Sequence, residues 1–150
     1  MKDLKILLVD DEKEFVSALS ERLHLRGLNS KSAFSGEEAL EIVETNTPDI
    51  VLLDLKMPGM DGIEVLSKIK SNFPAVKVII LTGHGNDSAK EEVYKLGAFD
   101  YMSKPADIDR ITSRIKDAYH EIQREMEYNM NAVTFAEAGD FDTAKGFIDK

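Results

Sequence analysis

The sequence predicts an α/β fold built on one doubly wound, five-stranded parallel sheet, and three observations carry that prediction. Stretches of strand length occur five times: apolar runs at residues 6–9, 50–53 and 76–81, a loosely alternating stretch at 28–34 and a short one at 98–102. Each is followed by a stretch whose apolar residues recur at spacings of three and four, the period of a helix buried on one side. Between these stretches stand Gly, Pro, Asn and Asp, the residues that end regular structure. Strand and helix in alternation imply a parallel sheet with helices on both faces, joined by right-handed crossovers.

The elements follow in order. Ile6-Leu7-Leu8-Val9 is short, wholly apolar and closed by Asp10-Asp11-Glu12, as a buried strand would be. Phe15, Val16, Leu19, Leu23 and Leu25 give the first helix its apolar side, and Gly27 supplies a stop. Residues 28–34 alternate loosely, with Ser and Lys between apolar positions, and suit an outer strand. Ser35 or Gly36 caps the second helix, whose buried side is Ala39, Leu40, Ile42 and Val43. Asn46-Thr47-Pro48-Asp49 breaks it before the third strand, Ile50 to Leu53. The third helix, residues 61–71, carries Ile63, Val65, Leu66 and Ile69 and ends at Phe73-Pro74. The fourth strand, residues 76–81, runs into Thr82-Gly83-His84-Gly85. A rather polar fourth helix, residues 86–96, stops at Gly97 before the fifth strand and Ser103-Lys104-Pro105. A long fifth helix begins near Asp107, with Ile108, Ile111, Ile115, Ala118, Ile122 and Met126 along one side. Five strands in one domain favour the flavodoxin-like order 2-1-3-4-5.

Composition bounds the function. The 150 residues suffice for one domain with a real core and a short appendage. A net charge of −9 argues against direct nucleic-acid binding, which needs a basic face. The absence of Cys excludes disulfides and thiolate metal sites. No apolar stretch approaches the length of a membrane span, and the amino terminus lacks the apolar core of a signal peptide, so a soluble cytoplasmic protein is expected.

The conspicuous polar residues stand just after strands. Asp10 and Asp11 follow the first, Asp54 ends the third, Thr82 ends the fourth and Lys104 follows the fifth. In the expected topology these strand ends converge on one cleft. Taken singly, Asp-Asp reads as a turn or helix cap, Thr-Gly as a turn and Lys-Pro as a loop. A carboxylate closing so apolar a strand as 50–53 needs a partner, and the joint placement points to chemistry. Carboxylates crowded together repel, and a hard cation such as Mg²⁺ resolves the conflict. One carboxylate then faces an incoming phosphoryl group as a nucleophile, with a Lys ammonium and a hydroxyl offsetting charge on the phosphoryl oxygens.

These residues together resemble the receiver domains of two-component response regulators, over roughly residues 4–121. The resemblance rests on Leu7-Leu8-Val9-Asp10-Asp11-Glu12, Asp54-Leu55-Lys56-Met57-Pro58-Gly59-Met60-Asp61-Gly62, Leu81-Thr82-Gly83-His84-Gly85 and Gly97-Ala98-Phe99-Asp100-Tyr101-Met102-Ser103-Lys104-Pro105. It implies that Asp54 accepts a phosphoryl group from a sensor histidine kinase or a histidine phosphotransfer protein. It implies that Asp10, Asp11 and Asp54 hold Mg²⁺, with the backbone carbonyl of Lys56 completing the protein ligands. Lys104 would contact the acyl phosphate, Thr82 would swing toward it, and Tyr101 would rotate inward, switching the face of the fourth helix, fifth strand and fifth helix. Tyr101 also reads as an ordinary half-buried strand aromatic. The peptide before Pro105 would be cis. Lys56 and His84 stand where modulators of dephosphorylation occur in this family, although solvated side chains fit there equally. His24 and His120 have no companion at ligand spacing. The Thr-Gly-His-Gly turn and residues 98–105 are most similar to the receivers of nitrogen-regulation-type transcriptional activators.

The carboxyl-terminal part departs from that pattern. We divide the chain into a receiver, residues 1–121, and an extension of the fifth helix with a short tail, residues 122–150. The tail has room for neither an ATPase nor a DNA-binding domain. Its Met130, Val133, Phe135, Phe141 and Phe147 suit packing or docking, and residues 136–144 faintly resemble a tetratricopeptide turn. The expected output is a protein partner or a homodimer, with the chain a switch and not a turnover enzyme. Three other readings compete: an aspartyl phosphatase on a similar sheet, a receiver cut from a longer transcriptional regulator, and a flavodoxin-like electron carrier. The phosphatase would want a second Asp two residues beyond the nucleophile, where Lys56 stands, and the flavin carrier a phosphate-cradling loop where Asp10-Asp11-Glu12 stands.

Overall fold

A computed structural model of the chain describes residues 3–137. The five strands are β1 (Ile6–Val9), β2 (Ser30–Ala33), β3 (Ile50–Leu53), β4 (Lys77–Thr82) and β5 (Asp100–Ser103). The helices between and after them are α1 (Lys13–His24), α2 (Gly36–Thr45), α3 (Gly62–Asn72), α4 (Asp87–Lys95) and α5 (Ile108–Glu137). The sheet is parallel throughout, in the order β2-β1-β3-β4-β5, as the alternating pattern predicts. The chain divides into one unit ending at Ala118 and a second beginning at Tyr119. No helix among the described residues is long and apolar enough to cross a membrane.

The central strands are buried on both faces, which is why they read as unbroken apolar runs. All of Ile6, Leu7, Leu8, Val9, Ile50, Val51, Leu52 and Leu53 are buried. Each such side chain taken from water contributes about 1.5–3 kcal/mol before chain entropy is counted. On one face Val65, Leu66 and Ile69 of α3 join Ala39 and Val43 of α2 against Val51, Leu53, Val78 and Ile80. Side chains cap three helices where the backbone N–H groups lack partners. Ser35 accepts from Glu38 N (3.1 Å), Asp61 from Glu64 N (2.9 Å) and Asn86 from Ala89 N (2.8 Å).

Several boundaries differ from the sequence expectation. β2 is four residues long because it pairs only with β1, itself four residues long; Leu28, Asn29 and Phe34 fall outside the ladder. β5 begins at Asp100 because β4 offers Ile79 to Thr82 as its partners. Leu25, assigned to the buried side of α1, is 75% exposed, since the helix has ended at His24. Along α5, Ile111, Ile115 and Ala118 are buried, but Met126 is 60% exposed, so the apolar stripe outruns the burial. The Gly-Asp-Phe-Asp segment and Phe147 lie outside the described residues.

A polar network ties α4, β5 and α5 together. The Asp100 carboxylate accepts from Tyr101 N (2.8 Å), the Tyr94 hydroxyl (2.9 Å) and Arg114 Nε (2.6 Å), while Arg114 also donates to Asp117 (2.6 Å). The guanidinium lies 5.0 Å from the Phe99 ring centroid. Burial works to raise the Asp100 carboxyl, but the Tyr101 N–H, the Tyr94 hydroxyl and the Arg114 charge outweigh it and hold the group below its ordinary value. A depressed carboxylate contributes stability that is present above its unfolded-state value and lost as pH falls through the folded one. Asp100→Asn should therefore cost about 1–3 kcal/mol near neutral pH, the worth of hydrogen bonds to a charged group. The difference from wild type should close in acid, which urea midpoints measured across that range would check.

Candidate functional site

The sheet register builds the site. Val9 is paired with Leu53, so the next residues, Asp10 and Asp54, emerge side by side at the carboxyl edge. Their backbones stay in the ladder: Asp10 N donates to Ala33 O (3.1 Å) and Asp54 N to Val9 O (3.0 Å). Thr82 ends β4 opposite Ser103, and Lys104 N donates to Thr82 O (2.9 Å), which fixes where the lysine leaves β5. Behind Asp54 the chain turns so tightly that a Cβ on Gly62 would overlap the Asp54 carbonyl oxygen and stand 2.6 Å from Leu55 Cα. That close approach explains the Asp-Gly opening of α3.

Asp10, Asp54 and Thr82 are the buried polar residues among those described, at 3%, 2% and 1% exposure. Asp54 Oδ1 is buried without a hydrogen-bond partner. Burial raises the Asp54 carboxyl above its ordinary value, and the Asp10 charge adds to that; the Thr82 hydroxyl, the Lys104 ammonium and the Lys56 N–H pull the other way and lose. The Thr82 hydroxyl oxygen accepts from His84 N (3.1 Å) and its own proton is left to donate to the Asp54 carboxylate.

Asp10, Glu12 and Asp54 each bring a carboxylate oxygen within 4.8 Å of the others. A set of hard oxygen donors holding one unpartnered buried oxygen fits Mg²⁺, which favours a few carboxylates and retained waters. The sequence names Asp11 beside Asp10 and Asp54 as a metal ligand and does not single out Glu12. In the structure Asp11 is exposed and outside the group, because the Asp10 carboxylate accepts from Glu12 N (2.9 Å) and curls the turn so that Glu12 returns toward the site. The signal was present: Glu12 continues the acidic run.

Lys104 reaches the site but is held on the Asp10 side of it. Its ammonium donates to Asp10 Oδ2 (2.5 Å) and Glu12 Oε1 (3.3 Å) and lies 4.0 Å from the centroid of the Phe15 ring. Burial would lower its ammonium, but Asp10 reverses the sign, and Asp54 and Glu12 add to the net rise. Phe15 reads in the sequence as one more apolar residue of α1; its role as a cation-binding face comes only from the fold. The Lys104–Pro105 peptide is cis. Tyr101 is half-buried and packed against the core, with Lys90 Nζ 5.9 Å from its ring centroid. Lys56 and His84 are exposed beside the site; His24 and His120 lie on helices, exposed.

The response regulator receiver domain family matches residues 6–116. Sporulation initiation phosphotransferase F of Bacillus subtilis (strain 168) is 41% identical over 116 residues, covering 77% of this chain and 94% of that protein. DNA-binding transcriptional regulator NtrC of Klebsiella pneumoniae is 38% identical over 120 residues, covering 80% of this chain and 26% of that protein. The chain therefore spans about a quarter of the length of such regulators. Among solved structures, the response regulator receiver domain protein (CheY-like) of Methanospirillum hungatei JF-1 aligns with a TM-score of 0.79 at 28% identity, covering 81% of this chain and 98% of that one. A response regulator receiver domain protein of Clostridium thermocellum aligns at 0.74 and 36% identity, covering 82% and 97%.

A raised carboxyl contributes stability that is present below its unfolded-state value and lost as pH climbs through the folded one. Near neutral pH the Asp54 charge is thus a cost to the fold. Asp54→Asn should raise the unfolding free energy there by on the order of 1 kcal/mol for a buried polar group relieved of charge, seen as a higher urea midpoint, and the gain should disappear in acid.

Proposed function

The chain belongs to the response regulator receiver domain family, and from that premise we propose that it is a phosphorylation switch whose acceptor is Asp54. What carries this reading is Asp54 itself: a carboxylate at 2% exposure, ending an apolar strand, with one oxygen unpartnered and two acids, a hydroxyl and an ammonium around it. Such a group is costly unless a reaction uses it. The donor is a phosphohistidine, on a sensor histidine kinase or a histidine phosphotransfer protein.

In the proposed reaction an Asp54 oxygen attacks phosphorus, the phosphorus–nitrogen bond breaks, and the electron pair leaves with the imidazole, which takes up a proton. Asp10, Glu12 and Asp54 would hold Mg²⁺, with Asp11 reaching it through water and the Lys56 carbonyl as a further oxygen donor. When bound, the ion neutralises charge on the phosphoryl oxygens. Lys104 leaves Asp10 and Glu12 to pair with a phosphoryl oxygen, and Thr82 turns its hydroxyl toward another. Because His84 N is bonded to that hydroxyl, the turn after β4 moves with it. Tyr101 follows, and the face of α4, β5 and α5 changes partner affinity or self-association. The net charge of −9 favours a protein over nucleic acid as the direct target. Residues 1–121 act as the receiver, and residues 122–150, an extension of the fifth helix with a short tail, are an accessory segment. The cytoplasm, where kinase and phosphodonor reside, is the proposed compartment.

Acetyl phosphate with Mg²⁺ should label the protein with an acid-stable, base-labile phosphoryl group. Asp54→Asn should abolish the label, and Asp10→Asn or chelation should slow it at least about tenfold, the scale for losing a metal ligand's support. Labelling undiminished in Asp54→Asn would reject Asp54 as acceptor.

For the output, light scattering with and without beryllofluoride should give a mass that rises toward the dimer. A single unchanged mass would reject phosphorylation-controlled self-association.

A further inference from the structure

The Thr82-Gly83-His84-Gly85 turn ends on a glycine whose missing side chain is accounted for by one neighbour. A Cβ on Gly85 would fall on the Tyr101 hydroxyl, 2.6 Å from its Cζ and 3.1 Å from its Cε2. Backbone geometry does not demand glycine here, for the glycines with positive φ are Gly27, Gly59 and Gly97. Core packing does not demand it either, since Gly85 is exposed. What remains is the ring. Tyr101 projects from β5, packs against the core beside Ile80, its strand partner, and ends with its hydroxyl on the bare Cα of Gly85.

We infer that Gly85 is a positioning residue for Tyr101: it provides a seat for the phenol that any side chain at position 85 would fill. The atoms that would clash lie at the free end of a side chain, so an added methyl moves the ring and leaves the backbone in place. The seat is also joined to the acceptor. Gly85 follows His84, whose N–H is held by the Thr82 hydroxyl beside Asp54. A shift of Thr82 is carried through two residues of turn to the surface on which the phenol rests. The seat itself follows from the geometry alone, while its response to phosphorylation rests on Asp54 being the acceptor.

Four tyrosines make the experiment direct. The full chain is labelled with 3-fluorotyrosine, and the Tyr101 fluorine resonance is assigned by its loss in Tyr101→Phe. Without any phosphodonor, Gly85→Ala should move the Tyr101 resonance while those of Tyr119 and Tyr128 stay. An unmoved Tyr101 resonance in folded Gly85→Ala overturns the seat. Adding beryllofluoride with Mg²⁺ should displace the wild-type resonance and displace that of Gly85→Ala by less than half as much. A wild-type resonance that ignores beryllofluoride, with Gly85→Ala still shifted, upholds the seat and overturns its link to Asp54. Thermal melting guards against a variant that merely misfolds. Any cost of Gly85→Ala should vanish in a Tyr101→Leu background, where no ring contests the methyl, and a cost that persists there overturns the proposal.

Discussion

A charged group placed at the end of a strand with no solvent on either face is the constraint from which the rest of this structure follows. β3 is apolar because it is central, and Asp54 is buried because it continues β3. A carboxylate so placed requires compensation in three dimensions, since no residue of its own strand can supply it. The parallel register brings Asp10 from β1, Thr82 from β4 and Lys104 from beyond β5 to the same edge. The fold is thus a device for bringing together groups that lie as much as 94 residues apart in the chain.

Compensation is incomplete, and the incompleteness is organised. Lys104, the cation of the cluster among the described residues, is drawn to Asp10, Glu12 and the Phe15 face, leaving an Asp54 oxygen bare. Were the lysine paired directly with Asp54, that oxygen would be shielded and its carboxyl less raised. The arrangement separates the Lys104 charge from the bare Asp54 oxygen while keeping both within one small volume.

Much of this was legible in the sequence because it is written in strand ends. A run of four apolar residues closed by Asp, or a Lys-Pro after a fifth strand, is a local signal whose meaning needs only the topology to complete it. The residues that escaped are those whose role depends on side-chain direction. Asp11 and Glu12 are both acids after β1, and it is the Asp10-to-Glu12 turn that brings the Glu12 carboxylate near those of Asp10 and Asp54. Phe15 is indistinguishable by spacing from the buried residues of α1, and Leu25 from its apolar face. Strand lengths at the edges were overestimated for a related reason: β2 and β5 are trimmed by what their single neighbours offer, which no local pattern records.

The fastening of α4 has a mechanical consequence. Near its carboxyl end Tyr94 is bonded to Asp100, which Arg114 of α5 grips in turn. Near its amino end, beyond the cap of Asn86, it adjoins the turn on which a single phenol rests. The side-chain hydrogen bonds that fasten α4 to β5 and α5 thus gather near its carboxyl end, at Tyr94, while its amino end is held by its own cap and borders the Gly85–Tyr101 contact, so the helix is restrained unevenly along its length.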